Sequence, residues 1–465
     1  MTRSPAPLPD GLGDHLRAVV GGNHVLVDPE LTASYETDWT GRFSGRSPAV
    51  VRPGTTAEVA GVVAACAKAR APIVAQGGNT GLVGGGVPMG GELVVSLTRL
   101  TELGPVDTAA AQVTAGAGVR LADLQRHVRA AGLDFGVDFA ARDSATVGGL
   151  TATNAGGERV LRYGGMRAQL AGIEAVLADG AVLSRMSGLL KDNTGYDLPG
   201  LLAGSEGTLG VVTGARLRLV PSQRNRVVAV VAVGGVDEAV ELLAVLRQRL
   251  RTLEAAELFF ATGLELVRAH SGMPAPFAAG HPAYLLVECA DRRDPTDELT
   301  EALADSEELV RDAALATDAA GRHGLWAYRE GHTEAINAEG VPVKLDIAVP
   351  LAVFPAVARA LPTVVSGAAP HARTVLFGHI NEGNLHVNVL DATDRAEEVT
   401  DAVLRHVAAR GGSISAEHGV GRAKLAWLGL SRSPTEIAAM RAVKRALDPQ
   451  GLLNPGVLLP PPSGE

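Results

Sequence analysis

Two histidines in the second half of the sequence, His379 and His386, flank the turn-forming residues 381–384. Apolar residues surround this stretch, which predicts a β-hairpin. A two-residue turn at Glu382-Gly383 would place the histidines opposite each other, with Cβ atoms about 5 Å apart, and Asn388 on the same face as His386. Two imidazoles so placed can bind one metal ion, although a solvated pair of histidines is the more frequent meaning of such spacing.

A carboxylate and an imidazole occur together at Glu417-His418, between a short apolar segment and two glycines. Glu417 could supply a third metal ligand, and His418 could act as a general base. Two histidines and one carboxylate leave open positions on an ion, as a catalytic site requires. The pair would also suit a helix N-terminus, where an acidic residue is stabilised by the helix dipole, and both interpretations can hold together.

Lysine is rare in this chain, which has only five, and one of them lies in a strand-like segment of the second half. Lys344 lies on the polar face of the alternating strand 343–349, together with Asp346. Arg329 and Thr333 are four residues apart in a helical pattern, so their side chains project side by side. A guanidinium, a hydroxyl and an ammonium together can bind a carboxylate. On residue types alone, a solvated helix face and an ordinary strand ion pair explain these residues more simply.

Glycine-rich segments dominate the first half of the chain, at 76–86, 138–165 and 191–210. Consecutive glycines after a strand let several backbone N–H groups point into one concavity, which suits a pyrophosphate. For the first segment alone, a flexible surface loop is equally consistent. Neither G-x-x-x-x-G-K-[ST] nor G-x-G-x-x-G occurs. A P-loop and a nicotinamide-dinucleotide fingerprint are therefore excluded.

The composition excludes further kinds of site and partner. The 465 residues include only two cysteines, which excludes a disulfide framework, a cysteine zinc site and an iron–sulfur cluster held within the chain. The net charge of −9 and the lack of a basic run argue against nucleic acid as a partner. The first 14 residues do not resemble a secretory signal, and no apolar run approaches the length of a membrane span. We expect a soluble, cytoplasmic protein.

The elements that must position these residues change in character near residue 223. Before it, the patterns predict helices at 57–70 and 119–131, strands at 72–75, 93–97, 112–115 and 210–220, and a hairpin at 173–184 around Asp179-Gly180. After it, they predict strands at 226–233, 284–289, 343–349, 373–378 and 385–390, and helices at 237–251, 297–309, 351–361, 394–410 and 434–447. Asp237 suits the N-cap of the first of these helices. We expect an α+β fold whose second part is an antiparallel sheet with helices on one side.

Five motifs in order, QGGNTG, ATVGGLTATNAGG, RYGG, KDNTGYDL and GSEGTLG, resemble the FAD-binding half of flavoenzymes with the vanillyl-alcohol-oxidase or p-cresol-methylhydroxylase fold. The sequence is most similar to glycolate oxidase D-subunits, D-lactate dehydrogenases and D-2-hydroxyglutarate dehydrogenases, over residues 53–456. This resemblance implies FAD between two α+β subdomains, with its pyrophosphate at Gly77–Gly81. Many relatives attach FAD through a histidine in this loop, where the present chain has Asn79, so we expect non-covalent FAD. The implied FAD contacts are Gly77, Gly78, Asn79, Thr80, Gly81, Ser144, Thr146, Gly148, Gly149, Asn154, Gly156, Gly157, Glu206, Gly207, Val211 and Asn454.

The resemblance also assigns roles in the second half of the chain. The positions of His379, His386 and Glu417 hold a divalent metal in the 2-hydroxy-acid group, usually zinc. Those of Arg329, Thr333, Lys344 and Asn388 bind substrate, and that of His418 is the base. The hairpin tip differs, because the family usually has Gly-Asp-Gly where this chain has Asn381-Glu382-Gly383.

The implied reaction is oxidation of a small 2-hydroxy acid, expected to be D-configured, to the 2-oxo acid by hydride transfer to flavin N5. D-Lactate, glycolate and D-2-hydroxyglutarate are the candidate substrates, and the metal assists. Two alternatives stay open on the same fold. One is an enzyme like the alkyl-glycerone-phosphate synthases, which keep FAD without net oxidation, and the other is a non-catalytic nucleotide-binding protein.

The expected domain order is an N-terminal segment at 1–45, a FAD-binding domain at 46–223, a substrate and metal domain at 224–425, and a C-terminal helix and tail at 426–465 that returns to the FAD site. A soluble electron carrier or a quinone is the expected electron acceptor. A homodimer is one option for the assembly.

Overall fold

The computed structural model describes residues 7–460, and these residues form two compact units. The first unit comprises residues 7–156, 164–222 and 417–460, and the second comprises residues 157–163 and 223–416. The expected terminal segments 1–45 and 426–465 extend beyond the described residues at 1–6 and 461–465. Both units combine helices with sheets, so the predicted α+β class is confirmed.

The first unit contains two four-stranded sheets and a two-stranded pair. In the first sheet, ordered β1-β2-β4-β3, both β2 and β3 run parallel to β4. The second sheet, ordered β5-β9-β7-β8, is antiparallel, and β10 pairs with β6. The strands are β1 Val25–Leu26, β2 Val50–Val51, β3 Ile73–Gln76, β4 Leu93–Ser96, β5 Gln112–Gly116, β6 Leu133–Asp134, β7 Leu170–Val176, β8 Val182–Arg185, β9 Val211–Arg218 and β10 Val220–Pro221.

The helices of the first unit pack against both of its four-stranded sheets. They are α1 Leu12–Val20, α2 Pro29–Glu36, α3 Thr56–Ala69, α4 Leu121–Ala130, α5 Val147–Thr153, α7 Met166–Gln169, α8 Leu198–Leu202, α16 Leu428–Ser431 and α17 Pro434–Leu447. Residues of α1 and α3 share one hydrophobic core with strands β2, β3 and β4. The hairpin predicted around Asp179-Gly180 is confirmed, because Gly180 has φ +88 between β7 and β8.

The second unit is built on one seven-stranded sheet, ordered β14-β11-β13-β12-β16-β17-β15. Every neighbouring pair in it is antiparallel, as predicted. The strands are β11 Asn225–Val233, β12 Leu253–Phe260, β13 Ala283–Asp291, β14 Asp312–Ala316, β15 Val343–Ala348, β16 Arg373–His379 and β17 Asn384–Leu390. Its helices are α6 Val160–Tyr163, α9 Val236–Arg249, α10 Ala261–Ser271, α11 Thr296–Ala304, α12 Ala319–Glu330, α13 His332–Glu339, α14 Phe354–Ala368 and α15 Ala396–Ala408.

One face of this sheet packs against α10, α12 and α13. Phe259 of β12 and Phe377 of β16 join Leu264 of α10, Tyr328 of α12 and Ile336 of α13 in one buried cluster. The three helices therefore cover the part of the sheet next to β16, where the histidine hairpin begins.

The structure differs from the sequence predictions in several elements, of which helix α9 and strand β12 are two. Helix α9 begins after Gly235, and Asp237 lies in its first turn and makes no cap; a carboxylate in the first turn still favours the helix through its dipole. Strand β12 was not predicted from sequence. Seven of its eight residues are buried, so it lacks the alternation of apolar and polar residues by which a half-exposed strand is recognised.

Candidate active site

The histidine hairpin forms with a register other than the predicted one. Phe377 lies opposite His386, and the turn runs through a short 3₁₀ segment, Ile380–Glu382, to Gly383. The predicted direct pairing of His379 with His386 is therefore wrong, because the tip takes four residues where two were expected. The rings still meet, with centroids 5.3 Å apart at near-perpendicular planes.

Strand pairing places the other polar residues on the same face of the sheet as the two histidines. Lys344 lies opposite Asn388, and Asp346 lies opposite His386, in the pairing of β15 with β17. Residues opposite each other in an antiparallel pair share a face, as do residues two apart on one strand. The site therefore lies across the last strands of the sheet.

A buried carboxylate on β12 holds His379. Glu257 lies opposite His379 in the β12–β16 pairing, and His379 Nδ1 is 2.5 Å from Glu257 Oε1. Glu257 Oε2 accepts a hydrogen bond from Arg329 Nε at 2.8 Å and forms an ion pair with Arg329 Nη2 at 2.7 Å. Burial would raise the pKa of the Glu257 carboxyl, but its neighbours His379 and Arg329 hold that pKa below its ordinary value.

A second buried carboxylate lies beside His386. His386 Nδ1 is 3.5 Å from Asp346 Oδ1, and Asp346 also accepts hydrogen bonds from Asn384 Nδ2 at 2.8 Å and from the backbone N–H of Ala416 at 3.1 Å. Asp346 and His386 belong to a group of acidic and histidine side chains that could hold a metal ion. Asp346 was absent from the predicted metal ligands, although it shares a strand face with Lys344.

Arg329 and Thr333 do not form the predicted adjacent pair on one helix. Arg329 lies in the last turn of α12 and is buried, with its guanidinium carbon 4.4 Å from the centre of the Phe377 ring. Thr333 follows Gly331 in the next helix, α13, and is exposed. The structure thus brings Arg329 to the histidine hairpin through Glu257 and Phe377, and it leaves Thr333 at the surface of its unit.

Asn388 and Lys344 complete the polar face. Asn388 is 5% exposed, and its Nδ2 has no hydrogen-bond partner among the described residues. Lys344, opposite it, is half-buried. A buried amide with an unsatisfied donor is costly unless a ligand accepts from it, so the face is suited to an oxygen-rich ligand.

Glu417 and His418 follow directly on Ala416, which is bound to Asp346. Ser413, three residues earlier, pairs with Ala348 at the end of β15. In the first unit, His418 Nε2 lies 3.8 Å from Glu417 Oε1.

The loop after His418 is held by Glu206. Its carboxylate accepts hydrogen bonds from the backbone N–H groups of Val420 at 2.8 Å and Gly421 at 2.7 Å. Burial raises the pKa of Glu206, and the two N–H groups act in the opposite direction. Sequence reasoning assigned Glu206 to FAD and missed this contact; the pairing of a buried acid with a glycine-rich loop far along the chain left no local signal.

The first glycine loop packs tightly on residues 144–146. A Cβ on Gly77 would lie 2.3 Å from Thr146 Oγ1, and one on Gly78 would lie 1.9 Å from the carbonyl oxygen of Ser144. Neither contact is tolerable for a side chain, so these positions require glycine for close approach. Gly78, Ser144 and Thr146 also line a cavity of about 300 Å³.

The remaining predicted FAD residues of the first unit lie on several short elements. Gly148 and Gly149 are in α5, Asn154 ends that helix with φ 51, and Val211 begins β9. Gly157 belongs to the second unit, in a segment whose Arg159 and Arg162 pair with Glu254. All predicted FAD residues except Gly157 thus lie in the first unit. They are Gly77, Gly78, Asn79, Thr80, Gly81, Ser144, Thr146, Gly148, Gly149, Asn154, Gly156, Glu206, Gly207, Val211 and Asn454.

Some side chains of the predicted FAD site donate hydrogen bonds to backbone carbonyls, and other buried oxygens there have no hydrogen-bond partner among the described residues. Asn79 Nδ2 donates to the carbonyl of Thr37, and Asn454 Nδ2 donates to the carbonyls of Gly85 and Glu206. Among the described residues, buried Thr146 Oγ1, Ser205 Oγ and Asn454 Oδ1 have no hydrogen-bond partner. Thr146 also lines the cavity, and unsatisfied buried oxygens of this kind fit a polar cofactor such as FAD.

Two family models match the chain. Residues 47–184 match a FAD binding domain, and residues 222–458 match the C-terminal domain of FAD linked oxidases. Two solved structures share the fold at low identity. An alkyldihydroxyacetonephosphate synthase has a TM-score of 0.76 at 16% identity, covering 98% of this chain and 87% of its own. A p-cresol methylhydroxylase with substrate bound has a TM-score of 0.76 at 18% identity, covering 97% and 98%.

Relatives at higher identity match almost the whole chain. A D-2-hydroxyglutarate dehydrogenase of Xanthomonas citri pv. viticola is 40% identical over 95% of this chain and 96% of its own. The mitochondrial D-2-hydroxyglutarate dehydrogenase of Bos taurus is 37% identical over 96% and 82%. No helix in residues 7–460 is long and apolar enough to cross a membrane. The family resemblance seen in the sequence is confirmed, and the chain belongs to the FAD-linked oxidases, in the family that includes the D-2-hydroxyglutarate dehydrogenases.

Proposed function

We propose that the chain is a FAD-dependent dehydrogenase of small D-2-hydroxy acids, with D-2-hydroxyglutarate as the first candidate and D-lactate and glycolate as the others. The observation that carries this proposal is the polar face of the second unit. There, a buried guanidinium and two imidazoles are each held by a buried carboxylate. Such a face combines charge for a carboxylate with nitrogen ligands for an ion.

The residues present fit both groups that this reaction requires. FAD, when bound in the first unit, accepts the α-hydrogen of the substrate with its electron pair. We propose that it is held without a covalent bond, because residues 76–86 contain no histidine. A divalent ion, with zinc as the candidate, would be held by His379, His386 and Glu417, and it would act as a Lewis acid on the substrate hydroxyl.

The chain's own groups bind the substrate and move one proton. Arg329 and Lys344 bind the substrate carboxylate, and Asn388 donates its free N–H to a substrate oxygen. His418 accepts the proton of the α-hydroxyl while the C–H bond breaks, so the carbinol carbon becomes the carbonyl of a 2-oxo acid. Thr333 was assigned to the substrate from the resemblance. Its exposure makes it the weakest member of that set.

The proposal also includes the electron acceptor, the cellular compartment and the assembly. We propose that the reduced flavin is reoxidised by a soluble electron carrier or a quinone, that the enzyme acts in the cytoplasm, and that a homodimer is one option for its assembly. The alkyl-glycerone-phosphate synthase alternative is less favoured, because relatives at 31–40% identity carry dehydrogenase or transhydrogenase names, whereas the synthase match rests on 16% identity.

An anaerobic titration tests the proposed function. The purified protein should be yellow, and acid precipitation should release about one FAD per chain into the supernatant. The holoenzyme mixed with D- and L-2-hydroxyglutarate, D- and L-lactate and glycolate should lose its flavin absorbance fully with one D-acid and little with the L-acids. A flavin that no hydroxy acid bleaches would support the non-oxidative alternative, and a colourless folded protein would support the non-catalytic one.

Replacing Arg329 by methionine should weaken the use of hydroxy acids. One charge-assisted hydrogen bond contributes ~1.5–3 kcal/mol, which corresponds to about a tenfold to hundredfold loss in kcat/KM. The loss should appear mainly as weaker substrate saturation in stopped-flow flavin reduction. The variant also leaves Glu257 buried without its cation, so thermal stability should fall. Arg226→Met is the matched control, because Arg226 pairs with Glu254 and Glu288 outside the site. It should lose stability but keep wild-type saturation.

A further inference from the structure

Glu257 is one of two deeply buried carboxylates beside the hairpin, and the other is Asp346. Glu257 is 1% exposed and lies in the middle of β12, in a stretch whose neighbours are nearly all buried. Isolated carboxylates are rarely buried unless their oxygens are satisfied. Both oxygens of Glu257 are satisfied by functional side chains, His379 on Oε1 and Arg329 on Oε2.

The contact with Glu257 determines which ring nitrogen of His379 is available to bind an ion. With Nδ1 bound to a carboxylate, the proton of a neutral imidazole stays on Nδ1, and Nε2 keeps its lone pair for an ion. Asp346 lies beside Nδ1 of His386 at the longer distance of 3.5 Å. Each histidine of the hairpin therefore has its own neighbouring carboxylate, on β12 for His379 and on β15 for His386.

The contact with Arg329 distinguishes Glu257 from Asp346. Arg329 donates a hydrogen bond to Glu257 Oε2 through Nε and forms an ion pair with the same oxygen through Nη2, and its guanidinium carbon lies 4.4 Å from the centre of the Phe377 ring. These contacts on one side of the guanidinium fix its direction, so its remaining N–H groups are held in one orientation. Asp346 bonds instead to Asn384 and Ala416, and these are not proposed to contact the substrate.

We infer that Glu257 is a positioning residue that orients both the metal ligand His379 and the carboxylate-binding Arg329. One side chain then controls both the affinity for the ion and the affinity for the substrate. Asp346 serves the ion alone. This inference rests on the proposed function, because it assigns Glu257 a role toward the ion and substrate proposed there. No other residue in the described part of the chain is placed by that proposal on both.

The test compares Glu257→Gln with Asp346→Asn in the holoenzyme. Zn²⁺ alone is titrated into metal-stripped protein, and the Kd for D-2-hydroxyglutarate is then measured by stopped-flow flavin reduction at saturating Zn²⁺. Glutamine keeps the shape but can accept from only one of the two donors. We expect Glu257→Gln to weaken Zn²⁺ binding about 10- to 100-fold and also to raise the substrate Kd about tenfold. Asp346→Asn should weaken Zn²⁺ binding and leave the substrate Kd unchanged.

Two further variants keep the test decisive. Glu257→Asp retains the charge but withdraws it by one methylene, so it should show both losses even if the glutamine variant folds poorly. Glu288→Gln removes another buried carboxylate of the same sheet, one that binds Arg226 and Trp326, and it should change neither affinity. Wild-type protein that binds no Zn²⁺ would refute the proposed metal site. Wild-type binding with both affinities unchanged in the Glu257 variants would overturn the inference, and a loss confined to Zn²⁺ would overturn the joint role.

Discussion

Replacing His418 by asparagine is expected to lower the rate constant of flavin reduction about 100- to 10,000-fold, the usual contribution of a positioned general base. Asparagine retains a polar side chain of similar reach but cannot take up the hydroxyl proton at neutral pH. The substrate Kd should change much less, because a base acts mainly in the transition state. Stopped-flow reduction at several concentrations of D-2-hydroxyglutarate separates the rate constant from the Kd.

The matched control for this variant is His15→Asn, since His15 is exposed on α1. It should reduce flavin at the wild-type rate. If His418→Asn also matched the wild type in rate and substrate dependence, the base would have to lie elsewhere. A His418→Asn loss seen only in the substrate Kd would instead make His418 a binding group.

Replacing His386 by alanine should abolish stable metal binding. The change removes a proposed ligand and leaves Asp346 buried beside an empty space, so the effect should exceed the 10- to 100-fold loss typical of a residue that only orients a ligand. Elemental analysis should find Zn²⁺ in the wild type and almost none in the variant, and turnover should fall with it. The FAD content should stay the same, because the proposed FAD contacts lie almost entirely in the first unit.

His281→Ala serves as the comparison for His386→Ala. His281 packs edge-on against Phe277 and Tyr284 in the same unit, and its loss should leave both metal and turnover in place. An active wild-type preparation without any divalent metal would refute the assignment of His379, His386 and Glu417.

The sequence predicted the strands that carry the site better than the register between them. Residues 343–349, 373–378 and 385–390 were expected as strands, and each forms within one residue of those limits. Their alternation of apolar and polar residues is local information. The pairing of Phe377 with His386 depends on the number of residues in the turn, which is set by the conformation of the tip and cannot be counted from residue types alone.

Glu257 illustrates what local patterns cannot provide. Its strand is buried on both faces, so the surrounding sequence lacks the alternation that would mark the acid as part of a polar face. Its two partners lie 72 and 122 residues further along the chain. Only the order of strands in the sheet brings β12 beside β16, and that order is a property of the whole unit.

The tip of the histidine hairpin also bears on how sequences of this kind can diverge. Asn381 and Glu382 are the two positions at which the sequence resemblance implied other residues, whereas it implied glycine at Gly383. Gly383 has φ +67, and a Cβ there would lie 2.0 Å from the carbonyl oxygen of Val349. Gly383 thus admits no side chain. Asn381 and Glu382 lie outside the strand pairing, so we expect substitutions at these two positions to leave both histidines in place. A search for distant members should therefore give more weight to Gly383 and the two histidines than to Asn381 and Glu382.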